Sequence, residues 1–390
     1  KLDKIYSAPS IDSLGFFYGR ITGLLGFKPM RHEGKITGLA AYGDYRKAIL
    51  LMKKMIIYKK GRIISFPGEY YLPYYSNYSK KLRKEILKYK KEDIAAAAQK
   101  HLENILKRLL EYYCKKLKIK KINLCLAGGV FGNVKVNQVL KESKFINKTF
   151  VIPQMGDGGL CIGSAAYSQF IRGFKIKPIS NMYLGPSNKI NKKDLIKRFK
   201  NIRMKKFSSI NQTINNILQD LNSNKVIGLV VGNMEFGPRA LCNRSILYKS
   251  SDITCNDWLN KRLNRTEFMP FAPVTIPELS KISFKKIDVN DETLKYMTST
   301  VDCTDEFAKV SPATVHIDGT ARPQIVTKQT HAMIYKLILK WHKLTEELSL
   351  INTSFNHHEQ PIVCLINDAL LELKKSTVDV VYSENQRFSF

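Results

Sequence analysis

The sequence predicts an α/β protein of two domains. Two strand, glycine-turn and helix units, over 122–140 and 149–166, point that way, as does a third apolar run at 226–232 that ends in a glycine–proline turn. A loop rich in Lys, Pro, Asn and Ser over 173–193 reads as the boundary. At 390 residues the chain is long enough for two or three sizeable cores.

The opening segment leads through Asp12-Ser-Leu-Gly-Phe-Phe-Tyr-Gly-Arg20 into an apolar, helix-like stretch ending near Phe27. Glu33-Gly-Lys35 beside Gly38 and Gly43 reads as a turn that lets backbone approach a ligand. Residues 52–78 alternate apolar and polar with Gly and Pro breaks, predicting short strands in a peripheral insertion over about 44–90. A helix over 91–117 follows, with Asp93 as N-cap and His101 as a packed core residue in its apolar stripe. Gly128 and Gly129 sit between the strand at 122–127 and the next helix, where backbone N–H groups and the helix dipole suit an anion. The pattern is neither a Walker A loop nor a dinucleotide fingerprint. Gly156-Asp157-Gly-Gly159 repeats that logic, and Asp157 reads equally as a metal ligand or a plain N-cap.

Beyond the boundary, 194–221 reads as mostly helical with a polar break near Ser208, and 256–265 as another helix. Phe268-Met-Pro-Phe-Ala-Pro273 is a rigid apolar turn, while 313–318 and 349–356 read as strands running into polar turns. Between them, Gly237-Pro238 delivers Arg239, and five residues on come Arg244 and Ser245. Two guanidiniums and a hydroxyl past a buried strand suit a phosphate or carboxylate, because the guanidinium fork pairs bidentately with such anions.

Composition is that of a globular protein, 44% hydrophobic and 25% charged, and no apolar run approaches the length of a membrane helix. The net charge of +31 admits nucleic acid, an anionic membrane surface or anionic small substrates. The lysines are scattered, and abundant Lys, Ile and Asn also fit AT-rich coding, so small anionic substrates are favoured over nucleic acid. The seven cysteines contain no C-x-x-C pair and read as free thiols of a cytoplasmic protein.

Taken in order, the motifs resemble one family. They are Glu33-Gly-Lys35, Gly38-Leu-Ala-x-Tyr-Gly43, Ala127-Gly-Gly-Val-x-x-Asn133, Gly156-Asp157-x-Gly159 and Glu235-Phe-Gly-Pro-Arg239-Ala-Leu-x-Asn-Arg244-Ser245. Pro270-Phe-Ala-Pro273, His316-x-Asp318-Gly-Thr-Ala-Arg322 and Asn352-Thr-Ser-Phe-Asn356 complete the set. Nearly the whole chain is similar to the O-carbamoyltransferases of nodulation-factor and antibiotic tailoring. The resemblance implies part of an actin/sugar-kinase-like (ASKHA) domain over 1–180 and a YrdC-like α/β domain over 187–390. It implies carbamoyl phosphate and ATP as substrates, a carbamoyl-adenylate intermediate, a hydroxylated small-molecule acceptor such as a sugar, and a divalent metal, iron or magnesium. Arg239, Arg244 and Arg322 would clamp the polyanions, with Ser354 and Asn352 supplying neutral hydrogen bonds. Lys35, Gly128, Gly129, Asn133, Arg265, Asp318 and Asn356 would line the nucleotide and substrate sites, and Asp157 would hold the metal. A homodimer is left open.

Three departures stand beside the matches. The family's H-x-x-x-H metal pair has no counterpart, and with Lys1 at the start the expectation is an ASKHA domain without roughly its first half. Leu263 and Met269 occupy positions where the family carries cations, so a weakened anion pocket is expected. Cys242 stands where the family usually has Gly. A nucleotide-binding relative without turnover is therefore the alternative, with tRNA carbamoyl-threonyl modification a lesser one.

Overall fold

The computed structural model describes residues 3–188, 190–265 and 269–390. Phe268, the first residue of the apolar turn expected from the sequence, lies outside them, as does Lys189 of the expected boundary loop. The chain forms two compact units, Lys1–Val151 and Ile152–Phe390, so the loop at 173–193 lies within the second.

The first unit runs α1 (Leu14–Leu24), α2 (Glu33–Leu39), α3 (Tyr45–Lys53), β1 (Ile56–Lys59), β2 (Arg62–Ser65), α4 (Lys80–Ile86), α5 (Lys91–Lys116), β3 (Ile122–Leu126), α6 (Val134–Lys141) and β4 (Ile146–Val151). The long helix α5 organises it. Its Ala95, Ala97 and Ala98 are fully buried, and small side chains let neighbouring helices approach. His101 is buried as expected, its Nε2 2.6 Å from the Ile56 carbonyl, and burial lowers its pKa. Asp93 does not cap its own helix. It accepts from the Asp44 N–H at 2.8 Å and pairs with Lys47 at 3.3 Å, tying the start of α3 to α5. Glu33-Gly-Lys35 is the first turn of α2 rather than a loop, because the Glu33 carboxylate accepts from the Met30 N–H and favours a helix start there. The strand expected to be buried, β3, pairs only with β4, in parallel, and leaves Asn123 and Cys125 exposed.

The second unit contains α7 (Leu160–Ile171), α8 (Lys192–Arg198), β5 (Arg203–Lys206), α9 (Ile210–Asn222), β6 (Ile227–Val230), β7 (Arg244–Lys249), α10 (Cys255–Arg262) and β8 (Ala272–Thr275). It continues with α11 (Pro277–Ser283), α12 (Glu292–Lys295), β9 (Val301–Asp302), α13 (Asp305–Val310), β10 (Thr320–Ala321), β11 (Gln324–Ile325), α14 (Ala332–Thr345), β12 (Leu350–Ser354), α15 (Ile366–Lys374), β13 (Val380–Ser383) and β14 (Gln386–Ser389). Eight strands form a mixed sheet in the order β11-β8-β12-β7-β6-β13-β14-β5. Alternation along its central strands sends side chains to two cores. Ile227, Leu229, Val380 and Tyr382 pack with α9 and α14 around Trp341. Val230, Val381, Ile351 and Phe388 pack with α8, α10 and α15 on the other face. The unit is thus a sheet layer between two helix layers.

Two expectations fail here. Residues 203–206 form edge strand β5 rather than helix, because pairing with β14 overrides a lysine-rich stretch of fair helix propensity. Residues 312–314 are a 3-10 turn, not the start of a strand.

Candidate functional site

Strand register brings the motifs of the second unit to one end of the sheet. Ser354 pairs with Ser245, Val230 with Arg244, and Asn352 with Ala272, so the C-terminal ends of β6 and β12 meet the N-terminal ends of β7 and β8. The loops there carry Arg239, Arg265 and Arg322. Asn352 and Ser354, two apart on β12, share one face of the strand.

The loop before β7 is folded around two charged side chains. Gly237 has φ +134°, a conformation that favours glycine, and a Cβ there would fall 3.3 Å from the Pro153 carbonyl oxygen. The Glu235 carboxylate is buried, and Oε1 accepts from the backbone N–H of Leu241 (2.6 Å), Asn243 (2.7 Å) and Arg244 (3.1 Å). Arg244 is fully buried at 0% exposure. Its Nε donates to the Cys364 carbonyl at 2.7 Å, Nη1 to Val231 and Asn243 at 2.9 Å each, and Nη2 to Gly232 at 3.2 Å and Pro186 at 3.3 Å. A guanidinium has five N–H donors, and here all five meet main-chain carbonyls. Arg244 is therefore a clamp on the backbone and not the anion ligand expected from the sequence. Ser245 is likewise buried, its Oγ accepting from the Cys242 N–H at 2.9 Å.

Arg239 sits at the outer part of this loop, partly buried, and burial lowers its pKa. A desolvated cation attracts an anion more strongly than one in water. The next residue ties the loop to β12. Asn352, 1% exposed, donates from Nδ2 to the Ala240 carbonyl (3.1 Å) and to Gln324 Oε1 (2.7 Å). Gln324 in turn donates to the Leu241 carbonyl at 3.3 Å. Arg322, partly buried between β10 and β11, is thus joined to the Arg239 loop through Gln324, two residues on. Asn352 Oδ1 is buried and accepts no hydrogen bond among the described residues.

Arg265 binds the end of β12. Nη1 donates to Thr353 Oγ1 at 2.6 Å, and Nη2 lies 2.8 Å from the Ser354 carbonyl, 3.0 Å from Ser354 Oγ and 3.2 Å from Asn356 Oδ1. Arg265, Ser354 and Asn356 therefore form one hydrogen-bonded group. Leu263, by contrast, is fully buried in the α8, α10 and α15 core. The side chain at 263 faces that core, so its aliphatic character takes no charge from this end of the sheet. Met269 is partly buried beyond the undescribed residues. Asp318 is exposed in a turn closed by Gly319, where its Oδ1 accepts from the N–H and hydroxyl of Thr320 at 3.1 and 2.6 Å.

Residues that sequence reasoning passed over hold this end together. His331 Nε2 lies 2.9 Å from Asn243 Oδ1, and its Nδ1 accepts from the Ile334 N–H at 3.4 Å, which fixes the neutral tautomer. Burial lowers the His331 pKa to about 4. Tyr183, its pKa raised by burial, donates to the Leu241 carbonyl at 2.8 Å. Gln324 had a signal in the sequence, its even spacing from Arg322; Tyr183 and His331 had none.

In the first unit, Asn133 caps α6 by accepting from the Val136 N–H at 3.1 Å and exchanges hydrogen bonds with Gln99 at 2.7 and 3.2 Å. Its amide thereby serves the scaffold. Gly128, at φ +108°, and Gly129 have open space where a Cβ would stand. Lys35 is 5% exposed on α2. Asp157 is exposed at the 3-10 turn before α7 and caps neither that turn nor the helix. Among the described residues it belongs to no cluster of three metal-ligating side chains.

The second unit is thus an α/β domain with a polar, cation-bearing end to its sheet. Residues 3–166 match the carbamoyltransferase N-terminus family and residues 218–389 the carbamoyltransferase C-terminus family. An uncharacterized protein of Methanocaldococcus jannaschii is 31% identical over 100% of this chain and 74% of its own length. Nodulation protein NolO of Bradyrhizobium diazoefficiens is 29% identical over 96% of this chain and 69% of its own. Nodulation protein U of Rhizobium tropici is 30% identical over 60% of this chain and 39% of its own. The chain belongs to the carbamoyltransferase family. It spans 55% to 74% of the length of the five first relatives it matches. A crystal structure of full-length HypF in the phosphate- and nucleotide-bound form aligns over 47% of this chain and 24% of that one, at 17% identity and a TM-score of 0.32. Among the described residues no helix is long and apolar enough to cross a membrane.

Proposed function

We propose that the chain carries out ATP-dependent O-carbamoyl transfer, from carbamoyl phosphate through carbamoyl-adenylate to a hydroxyl of a small molecule such as a sugar. In this reading residues 187–390 are a YrdC-like adenylate-forming domain and residues 1–180 part of an ASKHA-like transfer domain. The observation that carries it is the gathering of Arg239, Arg265 and Arg322 on loops at one end of one sheet, around the polar face of β12.

The chemistry asked of that end is mainly charge stabilisation and positioning. Water cleaves carbamoyl phosphate to carbamate and phosphate. A carbamate oxygen then attacks the α-phosphorus of ATP, forming carbamoyl-adenylate and releasing pyrophosphate. The acceptor hydroxyl attacks the carbamoyl carbon, AMP leaves, and the hydroxyl proton is lost. Arg239 and Arg322 would hold the phosphates, while Arg265 positions Ser354. Asn352 Oδ1, a buried acceptor, suits the carbamoyl NH2, since an unmet buried acceptor is costly and a ligand N–H relieves it.

The test is pyrophosphate release from ATP with and without carbamoyl phosphate. Release that depends on carbamoyl phosphate and drops at least about a hundredfold in Arg239→Ala is expected, about 3 kcal/mol of lost transition-state stabilisation. ATP binding without such release would replace this reading with a nucleotide-binding relative that does not turn over.

A further inference from the structure

The first unit holds a cavity that the carbamoyl-transfer reading leaves unused. It has a volume of about 670 Å³ and lies between the N-terminal segment, the β1–β2 hairpin and the end of α5. That volume suits one small-molecule ligand. Its walls combine three rings, Tyr6, Tyr112 and Tyr113, with three cations, Lys60, Arg62 and Lys116.

The rings are fixed in place. Tyr113 donates to the Gly61 carbonyl at 3.0 Å, and Tyr6 accepts from the Ile63 N–H at 3.0 Å. Tyr112 stands edge-on to Tyr113 at 5.2 Å, and Tyr6 lies 5.8 Å from Tyr113. Gly61 leaves room for this, since a Cβ there would fall 2.2 Å from the Tyr112 ring. The cations are not matched by acids. Asp12, the acidic member of the wall, accepts from the N–H and hydroxyl of Ser65 at 2.7 and 2.6 Å. Lys60, Arg62 and Lys116 form no ion pair among the described residues, and Lys116 lies 6.0 Å over the Tyr113 ring.

A second observation concerns the backbone at Lys60. It occupies the hairpin turn at φ +46°, in the left-handed region where Asn, Asp or Gly is the usual choice. Local strain at a charged residue facing a cavity is the pattern seen where a side chain is kept for a ligand. Lys116 also suits the negative end of the α5 dipole, and the Lys60, Arg62 and Lys116 side chains are all solvent-exposed.

We propose that this cavity binds a small anion carrying a ring, with the ring against Tyr6 and Tyr112 and a phosphate at Lys60, Arg62 and Lys116. Sugar phosphates and nucleoside phosphates share that chemistry. The experiment is calorimetric titration of the full chain, in an Arg239→Ala background that weakens the sheet-end cation site, with glucose 6-phosphate, adenosine 5′-monophosphate, inorganic phosphate and glucose. Saturable binding of one of the first two is expected, at least about tenfold tighter than phosphate or glucose. Glucose 6-phosphate binding tighter marks a sugar site, and the nucleotide binding tighter marks a base-stacking one. Arg62→Gln and Lys60→Gly should each weaken that binding about threefold to tenfold. Lys60→Gly should at the same time raise the melting temperature by relieving the turn, which excludes misfolding as the cause. No saturation by either ringed phosphate up to about 10 mM, equal binding of inorganic phosphate, or unchanged affinity in both variants would overturn the proposal.

Discussion

The loop at 128–133 and the loop at 232–244 look alike in sequence, each a glycine turn after an apolar strand. Both contain a glycine at high positive φ, Gly128 at +108° and Gly237 at +134°. In both, polar motif residues that resemble ligand contacts hold the loop itself. Asn133 caps α6 and pairs with Gln99, while Glu235 and Arg244 together occupy backbone N–H and carbonyl groups across the second loop. The difference is what remains. The first loop presents bare backbone beside open space, and the second presents Arg239. One suits close approach of a ligand to main chain, the other pairing with a charge.

That comparison breaks most visibly at Arg244. Arg244→Ala would remove a fully buried guanidinium and its five hydrogen bonds, those to Val231 and Asn243 fully buried, a loss of about 3–5 kcal/mol. Trp258 and Trp341 both lie in the second unit, so the urea midpoint by tryptophan fluorescence reads it directly. Arg239→Ala should lower stability by less than about 1 kcal/mol while weakening anion binding at this end of the sheet. If the two variants were equally stable, Arg244 would not be the clamp described.

Asn133→Ala sharpens the comparison in the first unit. It removes an N-cap and a reciprocal amide pair, about 2 kcal/mol together. Far-UV circular dichroism melts would show it. A cost near zero would mean that Asn133 is held for a ligand instead.

His331 supplies a pH dependence specific to the second loop. An unfolded histidine takes up its proton near 6.5, but the folded one only near about 4. Below pH 6.5 the unfolded state binds more protons, so stability falls as pH falls and the loss is complete near pH 4. Allowing for partial exposure, about 1–2 kcal/mol should disappear between pH 7 and pH 5. His331→Gln, whose amide can still donate to Asn243, should flatten that slope in urea titrations.

Much of this organisation was legible beforehand, and what was not has physical reasons. The α/β class, the long helix α5 and strands β6 and β12 follow from apolar periodicity, which burial imposes directly. Roles were harder, because an arginine fork matches carbonyl oxygens as well as phosphates, and only the fold decides which it meets. Leu263 illustrates the opposite error: it reads as a missing cation in a motif, yet its backbone position turns it into the core. Strand β5 and the tie from Asp93 to Asp44 depend on partners distant in sequence, which local pattern cannot announce.

The smallest effect tests the finest part of the comparison, the departure at Cys242. Its φ of +78° lies in the left-handed region, so the glycine usual at this position in the resemblance has a backbone reason. A non-glycine residue there costs roughly 1–2 kcal/mol. The thiol returns part of that through burial and through contacts with Gln324 Oε1 at 3.2 Å and Asn352 Nδ2 at 3.4 Å. Cys242→Gly should therefore lie within about 0.5 kcal/mol of the parent, losing the thiol but relieving the backbone. Cys242→Ala loses the thiol and keeps the strain, so it should be about 1 kcal/mol less stable than the glycine variant. At an ordinary position alanine is the more stable of the two. The inverted order, read from paired urea curves, would show that the loop geometry and not the sulfur sets the residue at 242, and the ordinary order would show the reverse.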